Sequence, residues 1–525
     1  MTSGGPRGRV LVVALDMGDE TLLRRWVREH RLPHFAALVS SGAWVRLQST
    51  AEVLHTSAWP TLATGTSPGR HGVYYPYQPK PGFQLARHIE PEAYGASTFW
   101  TLAGDAGRRC IVYDIPETFA DPRFKGRGIF DWGTWAWYGV PTAQPTNLLR
   151  QLKSRFGPYP LGFEAKRLGL AWPDHIEQRL LRAVRYKQRS ARWLLERGDW
   201  DLAAVGFCET HPAGHYLWPA GADDVRMSDE ALFEPLFRVY AAVDEALGAL
   251  LETVPSGTTV MVTSGDGVRP NRTAWHLLPT ILQRLGHTPS AGEAPGGRRA
   301  SSASLASRVQ ALVPPRARQL IMNRLPWRLR NELGMRIQTR GIDWSRTRAF
   351  TLPTDLEGCI RINVKGREPR GIIEPSAQYN DLCEELRTRL EELVNPSTGE
   401  PAVQRVWLRN QIFPGPRQEQ LPDGVVTWND RAPLVSVTSP RIGLVEGTNP
   451  DPRPGTHSQS GFVLAAGPAI PAHDEGRGHV TDVAPTVLRL LDVHMMQNFD
   501  GKPLESLSGG PLARGVISRA AMETQ

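Results

Sequence analysis

The chain has few cysteines and no long apolar segment. Four cysteines occur in 525 residues, they lie far apart, and none belongs to a CxxC pair. This usage argues against structural disulfides and predicts a reduced, cytoplasmic protein. No run of about 18 apolar residues is present, so we expect no transmembrane segment. The first residues, MTSGGPRGRVLVVALDMG, also lack the pattern of a signal peptide.

The composition does not point to a strongly charged partner. The formal net charge is +8, with 22% charged and 40% hydrophobic residues, which is ordinary for a soluble globular protein. A charge of this size attracts anionic ligands only weakly through its long-range field. No motif that combines aromatic and basic residues supports nucleic-acid binding. The composition therefore weakly favours anionic ligands and requires no nucleic acid.

Residues that can bind metal ions lie beside four apolar runs. Asp16 follows VLVVAL, and His211 and His215 follow DLAAVGFC. Asp266 comes at the end of TTVMVTSG, and His457 precedes GFVLAAG. Runs of this kind are typical of strands that are covered on both faces of a sheet. Aspartates and histidines at four strand ends therefore suggest one metal-dependent active site.

Segments with helical spacing of apolar residues lie between the strand runs. The predicted helices cover residues 19–42, 58–64, 174–197, 231–254 and 481–491. Strands that alternate with helices predict an α/β fold with a doubly wound, mostly parallel sheet and helices on both faces. In such folds the site lies at the carboxyl ends of the strands. We expect the metal-binding residues to meet there.

Two internal regions depart from this alternation. Residues 285–348 begin with GHTPSAGEAPGGRRASSASLASR and become basic, which predicts a mobile basic insert. It could be a helical cover over the core, a lid, or a contact for a membrane surface or an anionic substrate. Residues 349–429 contain the alternating segment IRINVK and one helical segment, which predict a smaller α+β cap region. The catalytic core then comprises residues 9–284 and 430–510.

Ordered motifs along the chain resemble one family. They are LDMGD, SAWPTLATGTSPGRHGV, DIPETF, IRINVKGREPRGII, PGTHSQSGFVLAAGP and TDVAPTVLRLLDV. They are similar to segments of the alkaline phosphatase superfamily and, within it, of the type I phosphodiesterase/nucleotide pyrophosphatase branch. The resemblance implies an alkaline-phosphatase-like fold that hydrolyses phosphoesters at a site with two metal ions.

The resemblance also implies roles for single residues. Asp16 corresponds to the first metal-binding aspartate, His215 to a metal-binding histidine and His457 to a late one. The family nucleophile is a threonine or serine that binds a metal and forms a covalent phospho-enzyme. We assign this role to Thr56, with Ser57 as the alternative. Both precede a predicted helix, whose N-terminal N–H groups and dipole favour a phosphate.

The chain departs from the family pattern at three places. His211 stands where the family has an aspartate, four residues before the metal-binding histidine. The pair Gly265–Asp266 stands where the family has Asp-His. The family spacing, counted back from Thr64–Gly65, reaches His55 rather than Thr56, which we interpret as the loss of one residue.

These residues divide into two predicted metal sites. The first offers three imidazole nitrogens, from His211, His215 and His457. Such a set holds Zn²⁺ with an open position. The second offers oxygen atoms, from Asp16, Asp266 and Thr56. Oxygen ligands suit Mg²⁺ or Mn²⁺, although a second Zn²⁺ stays possible. Glu209 could serve either site or orient a histidine. A mixed or single-metal site is a hypothesis specific to this chain.

The predicted function is metal-dependent hydrolysis of a small anionic phosphoester. A phosphodiesterase or nucleotide pyrophosphatase with a phosphothreonine intermediate at Thr56 is favoured, because divalent cations can activate a hydroxyl and stabilise the leaving oxygen. Phosphomonoesterase or phosphonate chemistry, transfer of the phosphoryl group to an acceptor other than water, and a degenerate non-catalytic binding protein stay open. A sulfatase is less favoured, because no Cys-x-Pro/Ser-x-Arg segment is present.

Overall fold

The secondary structure alternates between strands and helices for much of the chain. The structure is a computed structural model that describes residues 8–80, 82, 87–88, 94–133, 141–161, 175–220, 230–289, 341–451, 453–468, 470–473, 475–494 and 498–507. Most of the predicted basic insert, residues 290–340, lies outside the described residues.

Nineteen strands are present in the described residues. They are β1 Val10–Leu15, β2 Gly42–Gln48, β3 Tyr77–Gln78, β4 Arg87–His88, β5 Cys110–Tyr113, β6 Gly126–Phe130, β7 Thr142–Gln144, β8 Leu202–Phe207, β9 Thr259–Ser264, β10 Gly267–Pro270, β11 Ala349–Thr351, β12 Gly358–Ile362, β13 Val403–Leu408, β14 Gly424–Trp428, β15 Ser436–Ser439, β16 Gly443–Glu446, β17 Gly455–Ser458, β18 Ser460–Ala466 and β19 Glu475–His479.

Twelve α-helices occur in the same part of the chain. They are α1 Glu20–Arg28, α2 Pro33–Ser41, α3 Ala58–Thr64, α4 Pro68–His71, α5 Phe99–Asp105, α6 Leu148–Phe156, α7 Ile176–Leu195, α8 Thr210–Leu217, α9 Glu230–Leu251, α10 Leu278–Arg284, α11 Ala377–Glu391 and α12 Val483–Leu490. None of the helices described is both long and apolar enough to cross a membrane.

A nine-stranded sheet forms the centre of the fold. Its strand order is β19-β2-β18-β9-β1-β8-β5-β6-β7. The strands β9, β1, β8, β5 and β6 pair in parallel, whereas β18 is antiparallel to both β9 and β2. This arrangement confirms the predicted α/β class with a large, mostly parallel sheet.

Alternate residues of β1 enter two separate hydrophobic cores. Leu11, Val13 and Leu15 belong to a cluster that includes side chains of α1, α2, α7 and α9. Val10, Val12 and Ala14 belong to a second cluster, with side chains of α3, α5 and α12. All six strand residues are buried, and burying each large aliphatic side chain contributes about 1.5–3 kcal/mol. Helices therefore cover both faces of the sheet, as predicted.

One edge of the sheet collects the ends of several strands. The parallel strands β1, β8, β9 and β5 all end at this edge, and β2 runs in the same direction because both it and β9 are antiparallel to β18. β18 begins where the others end. Residues that follow β1, β2, β8 and β9, and residues that precede β18, are thereby brought together.

A smaller antiparallel sheet packs beside this edge. Its order is β11-β12-β14-β13, and α11 shares its hydrophobic cluster. These elements lie in the range predicted to form a cap. Side chains of α10 and of the hairpin β15-β16 join the same cluster, so the cluster extends beyond the predicted boundaries. The loop between β11 and β12 carries Asp355 and Glu357.

The single helix predicted over residues 19–42 is two helices. α1 ends at Arg28, and His30 has a φ of 57°, a left-handed conformation that does not continue an α-helix. α2 starts at Pro33, where a fixed φ and a missing N–H are tolerated. The apolar spacing continues across the break, which is why the pattern alone suggested one helix.

An ion pair is buried in the core beneath the site edge. Lys187 of α7 is 0% exposed, and its Nζ donates to Oδ2 of Asp114, which follows β5. The backbone N–H of Trp132 donates to the other carboxylate oxygen at 3.0 Å. Each charge depends on its partner, because an isolated buried charge is strongly unfavourable.

We expect Lys187→Met to lower the free energy of unfolding by about 3–5 kcal/mol, because the Asp114 carboxylate would stay buried without its cation. Urea unfolding followed by circular dichroism measures the change. The matched control is Lys153→Met on α6, where the side chain is exposed and the change should stay within about 0.5 kcal/mol. Addition of Asp114→Asn to Lys187→Met should recover much of the loss; no recovery would contradict the pairing.

Candidate active site

Three histidine side chains meet at the carboxyl edge of the sheet. His211 and His215 lie one turn apart on α8, and His457 lies on β17. Their ring centroids are 4.7, 4.9 and 5.1 Å apart. A candidate ligand atom from each lies within 4.8 Å of the others, and this is the one group of at least three histidine, cysteine or acidic residues with that property in the described residues. We call it the three-histidine cluster.

Aspartate carboxylates contact two of the three histidine rings. Nδ1 of His211 lies 2.8 Å from Oδ2 of Asp16, and Nδ1 of His457 lies 2.6 Å from Oδ2 of Asp266. A carboxylate on one ring nitrogen fixes the orientation and tautomer of a metal-binding histidine. The other nitrogen of each ring is then the candidate ligand atom. Asp16 and Asp266 thus contact the histidines directly.

The third ring is held by the backbone and approached by a cation. Nδ1 of His215 lies 2.8 Å from the carbonyl oxygen of Gly455. Nη1 of Arg453 lies 3.1 Å from Nε2 of the same ring, and the guanidinium also pairs with Asp355 and Asp451. Metal binding through this Nε2 requires Arg453 to withdraw. The arginine therefore places a permanent positive charge beside the three-histidine cluster.

Burial keeps two of the histidines neutral. His215 is 1% exposed and His457 is 6% exposed. For both, burial lowers the pKa well below its ordinary value, and neighbouring positive groups lower it further. A metal ion binds the neutral form of imidazole. The residues of the three-histidine cluster therefore fit a single divalent ion.

In the predicted oxygen-rich metal site, other protein groups contact both carboxylate oxygens of Asp16, one of Asp266 and the hydroxyl of Thr56. Oδ1 of Asp16 accepts a hydrogen bond from Nε1 of Trp59 at 2.8 Å, so both oxygens of this carboxylate contact protein groups. Asp266 is 2% exposed, and burial, with the charge of Asp16, raises its pKa to about 8. The hydroxyl of Thr56 donates to the carbonyl oxygen of Tyr74.

The hydroxyl of Ser57, the alternative nucleophile, also makes hydrogen bonds within the protein. Its hydroxyl donates to the carbonyl oxygen of Leu54 at 2.6 Å and contacts Oγ1 of Thr50 at 2.9 Å. The side chain is 0% exposed. Glu209 contacts none of the three histidines through a hydrogen bond in the described residues; the hydroxyl of Tyr159 donates to its carboxylate.

His55 lies against the three-histidine cluster. Its ring centroid is 4.6 Å from that of His457. Nδ1 lies 2.9 Å from Oε2 of Glu357, and Nε2 lies 3.3 Å from Oδ1 of Asp355. Burial alone lowers the pKa of His55, but the two carboxylates outweigh burial and raise the pKa well above its ordinary value. The ring is therefore protonated near neutral pH.

Several residues of the site did not emerge from the sequence analysis. Asp355 and Glu357 come from the smaller sheet, 300 and 302 positions after His55, and nothing in their local sequence indicates that contact. Glu117 has a φ of 54°. Burial, with the charge of Asp16, raises its pKa well above the ordinary value. For His55 there was a signal, because the family spacing counted back to this residue.

The sequence comparison identifies a hydrolase of the alkaline phosphatase superfamily. The sequence matches the family model of type I phosphodiesterase / nucleotide pyrophosphatase over residues 10–461. The chain therefore belongs to this family of phosphoric ester hydrolases, whose members typically depend on divalent metal ions. This confirms the resemblance and the enzyme class. A comparison with curated proteins found no significant match.

The comparison with solved structures found matches of low sequence identity that cover nearly the whole chain. Phosphonoacetate hydrolase from Sinorhizobium meliloti 1021, in complex with phosphonoformate, is 13% identical, with a TM-score of 0.51 and coverage of 93% of this chain and 96% of that chain. Human ectonucleotide pyrophosphatase/phosphodiesterase 5 is 12% identical, with a TM-score of 0.49 and coverage of 94% and 97%. The murine protein in complex with AMP is 12% identical, with a TM-score of 0.48 and coverage of 94% and 97%.

We expect Glu357→Gln to lower the pKa of His55, because the amide keeps the size of the side chain but removes the charge that favours the imidazolium. NMR titration of protein labelled with ¹³C-histidine measures the change, and His55→Asn assigns the resonance. Glu446→Gln, at an exposed position on β16, is the matched control and should leave the titration unchanged. An unaltered His55 titration in Glu357→Gln would contradict this account.

Proposed function

We propose that this chain is a zinc-dependent phosphodiesterase whose metal ion is held by His211, His215 and His457. The observation that carries the proposal is the three-histidine cluster, in which one nitrogen of each ring is fixed by a protein oxygen. Three nitrogen ligands with a remaining open position are typical of catalytic zinc. Zn²⁺ bound there would act as a Lewis acid toward a phosphoryl oxygen.

The groups around the cluster support an anionic substrate. Arg453 carries a permanent charge and planar N–H donors that suit phosphate oxygens. His55 is held in its protonated form by Glu357 and Asp355. Arg453 lies next to His215, and His55 lies next to His457. A phosphodiester, with one negative charge, meets positive groups on the side of the site formed by the smaller sheet.

Thr56 is the proposed nucleophile. It lies one residue after His55 and just before the segment that enters α3, so helical N–H groups lie close to a phosphoryl group bound there. Its hydroxyl donates to the carbonyl of Tyr74, and attack requires the side chain to turn away from that carbonyl. In the proposed reaction the bond from Oγ1 to phosphorus forms as one ester P–O bond breaks, and the leaving alcohol takes up a proton in exchange for the one that Oγ1 loses. Water then cleaves the bond from Oγ1 to phosphorus, which restores the threonine hydroxyl and releases the phosphomonoester.

The substrate class is proposed from the family and the relatives. The murine relative is described in complex with AMP, and phosphonoacetate hydrolase in complex with phosphonoformate. We propose a small anionic phosphodiester for this chain. A panel of nucleotide diesters, phosphomonoesters, phosphonates and phospholipid head groups would define the preference within that class.

We expect the protein, purified without chelator, to hydrolyse bis(4-nitrophenyl) phosphate, to lose this activity on dialysis against a chelator and to regain it with Zn²⁺. Asp266→Asn should weaken Zn²⁺ binding by about 10–100-fold, because it removes the carboxylate that orients His457. Competition with a fluorescent zinc chelator measures the affinity. The matched control is Asp430→Asn, a partly exposed aspartate paired with Arg269. Full activity in protein free of bound metal would refute the proposed function.

Thr56→Ala should lower kcat by roughly 10⁴-fold or more, the scale on which loss of a nucleophile acts, while Zn²⁺ binding at the three-histidine cluster persists. Ser57→Ala, with the same loss of a buried hydroxyl, is the matched control and should keep most of the activity. Single-turnover kinetics with mass spectrometry of the quenched protein would detect the phosphorylated residue. A Thr56→Ala variant with kcat close to that of the parent would exclude Thr56 as nucleophile.

A further inference from the structure

We propose that this chain holds one divalent ion where its family implies two, and that protein side chains close the second metal position. Trp59 and His211 occupy the two oxygens of Asp16. Arg453, displaced from Nε2 of His215 by the bound ion, would contact a phosphoryl oxygen in place of the second ion. The inference rests on the proposed function and narrows it to a mononuclear site.

The second metal position lacks one of the ligands that the family resemblance implies. By the family resemblance it would be formed by Asp16, the nucleophile and an Asp-His pair. Gly265 stands in place of that aspartate and offers no side chain. A Cβ added at Gly265 would lie 3.2 Å from Cβ of Ala58, closer than an ordinary contact. The backbone therefore passes this point with little room for an acidic side chain.

Asp266, the acidic residue of the pair Gly265–Asp266, contacts a histidine of the three-histidine cluster. Asp266 stands where the family has the histidine of Asp-His, and its Oδ2 lies 2.6 Å from Nδ1 of His457. It thus orients a member of the three-histidine cluster. The replacement removes a nitrogen ligand from the second position, which keeps from this pair only Oδ1 of Asp266, a buried oxygen without a hydrogen bond in the described residues.

Both carboxylate oxygens of Asp16 contact other side chains. Oδ2 faces His211 at 2.8 Å, and Oδ1 accepts the indole N–H of Trp59 at 2.8 Å. Trp59 is 2% exposed, and indole is a donor that cannot bind a cation through its nitrogen. A metal ion on Oδ1 would leave that buried N–H without a partner, which is unfavourable.

The neighbouring basic side chains are paired with carboxylates. Nδ1 of His55 lies 2.9 Å from Oε2 of Glu357, and Nε2 lies 3.3 Å from Oδ1 of Asp355, an ion-pair distance without a hydrogen bond. Nη2 of Arg453 lies 3.0 Å from Oδ2 of Asp355, while Nη1 lies 3.1 Å from Nε2 of His215. A guanidinium can bind phosphate oxygens through two parallel N–H groups, which is the contribution expected of the missing ion.

Metal counting on the full-length chain tests the inference. Protein purified without chelator is equilibrated with graded Zn²⁺, and the zinc bound per chain is measured by elemental analysis and native mass spectrometry. We expect one zinc per chain in the parent and none in the double variant His215→Ala/His457→Ala. Two tightly bound zinc ions in the parent would overturn the inference and leave the proposed function intact. No zinc bound at any concentration would overturn the proposed function itself.

Two variants extend the test to the groups that close the second position. Trp59→Phe should still bind one zinc, because freeing Oδ1 of Asp16 does not restore the Asp-His pair that Gly265–Asp266 replaces; a second tightly bound zinc in this variant would overturn that account. Trp100→Phe is the matched control, because Trp100 is fully buried and its indole N–H has no hydrogen bond in the described residues. Arg453→Met should also bind one zinc, but inhibition by inorganic phosphate should weaken by about 10-fold or more, as expected for loss of a charged hydrogen bond. Unchanged inhibition would overturn the role given to Arg453.

Discussion

The carboxylate of Asp16 is the contact on which the rest of the site depends. It stands at the end of a strand that is buried on both faces, and it links that strand to the helix of His211 and to the helix of Trp59. The hydroxyl of Thr210 adds a hydrogen bond to the carbonyl oxygen of the same residue at 2.6 Å. β1 cannot shift without disrupting two hydrophobic cores. The contacts of Asp16 with His211 and Thr210 therefore fix the position of α8, which carries His211 and His215.

The second constraint is the approach of the smaller sheet. The loop between β11 and β12 brings two carboxylates to His55 and one of them to Arg453. These ionic contacts are sheltered, since His55 is 3% exposed and Glu357 is 5% exposed. The histidines of the three-histidine cluster come from α8 and from β17, which pairs with β10 in a separate two-stranded sheet, whereas the carboxylates that contact His55 come from the β11-β12 loop of the smaller sheet. The site is therefore assembled from segments on both sides of the contact between the two larger sheets.

Much of the fold could be predicted from the sequence. Apolar runs of β-branched residues located β1, β8 and β9, and helical spacing located α3, α7 and α9 within a few residues. The same reasoning joined α1 and α2, because hydrophobic spacing is insensitive to a short left-handed turn before a proline. The strand ends brought Asp16, His211, His215, Asp266 and His457 to one edge, and the structure places them in contact with one another. Their roles as metal ligands stay a prediction.

The sequence could not indicate the partners that come from distant segments. Trp59 follows Asp16 by 43 positions, and Glu357 follows His55 by 302. Such contacts depend on how two sheets pack, which local propensity does not encode. The orientation of the Thr56 hydroxyl toward Tyr74 is equally invisible in the sequence, because it depends on a single rotamer.

The bridging position of Asp355, which contacts both His55 and Arg453, has a consequence for how a substrate enters. An incoming phosphate would compete with this carboxylate for the same two cations. An anion can therefore bind both cations only if Asp355 gives up its contacts with His55 and Arg453.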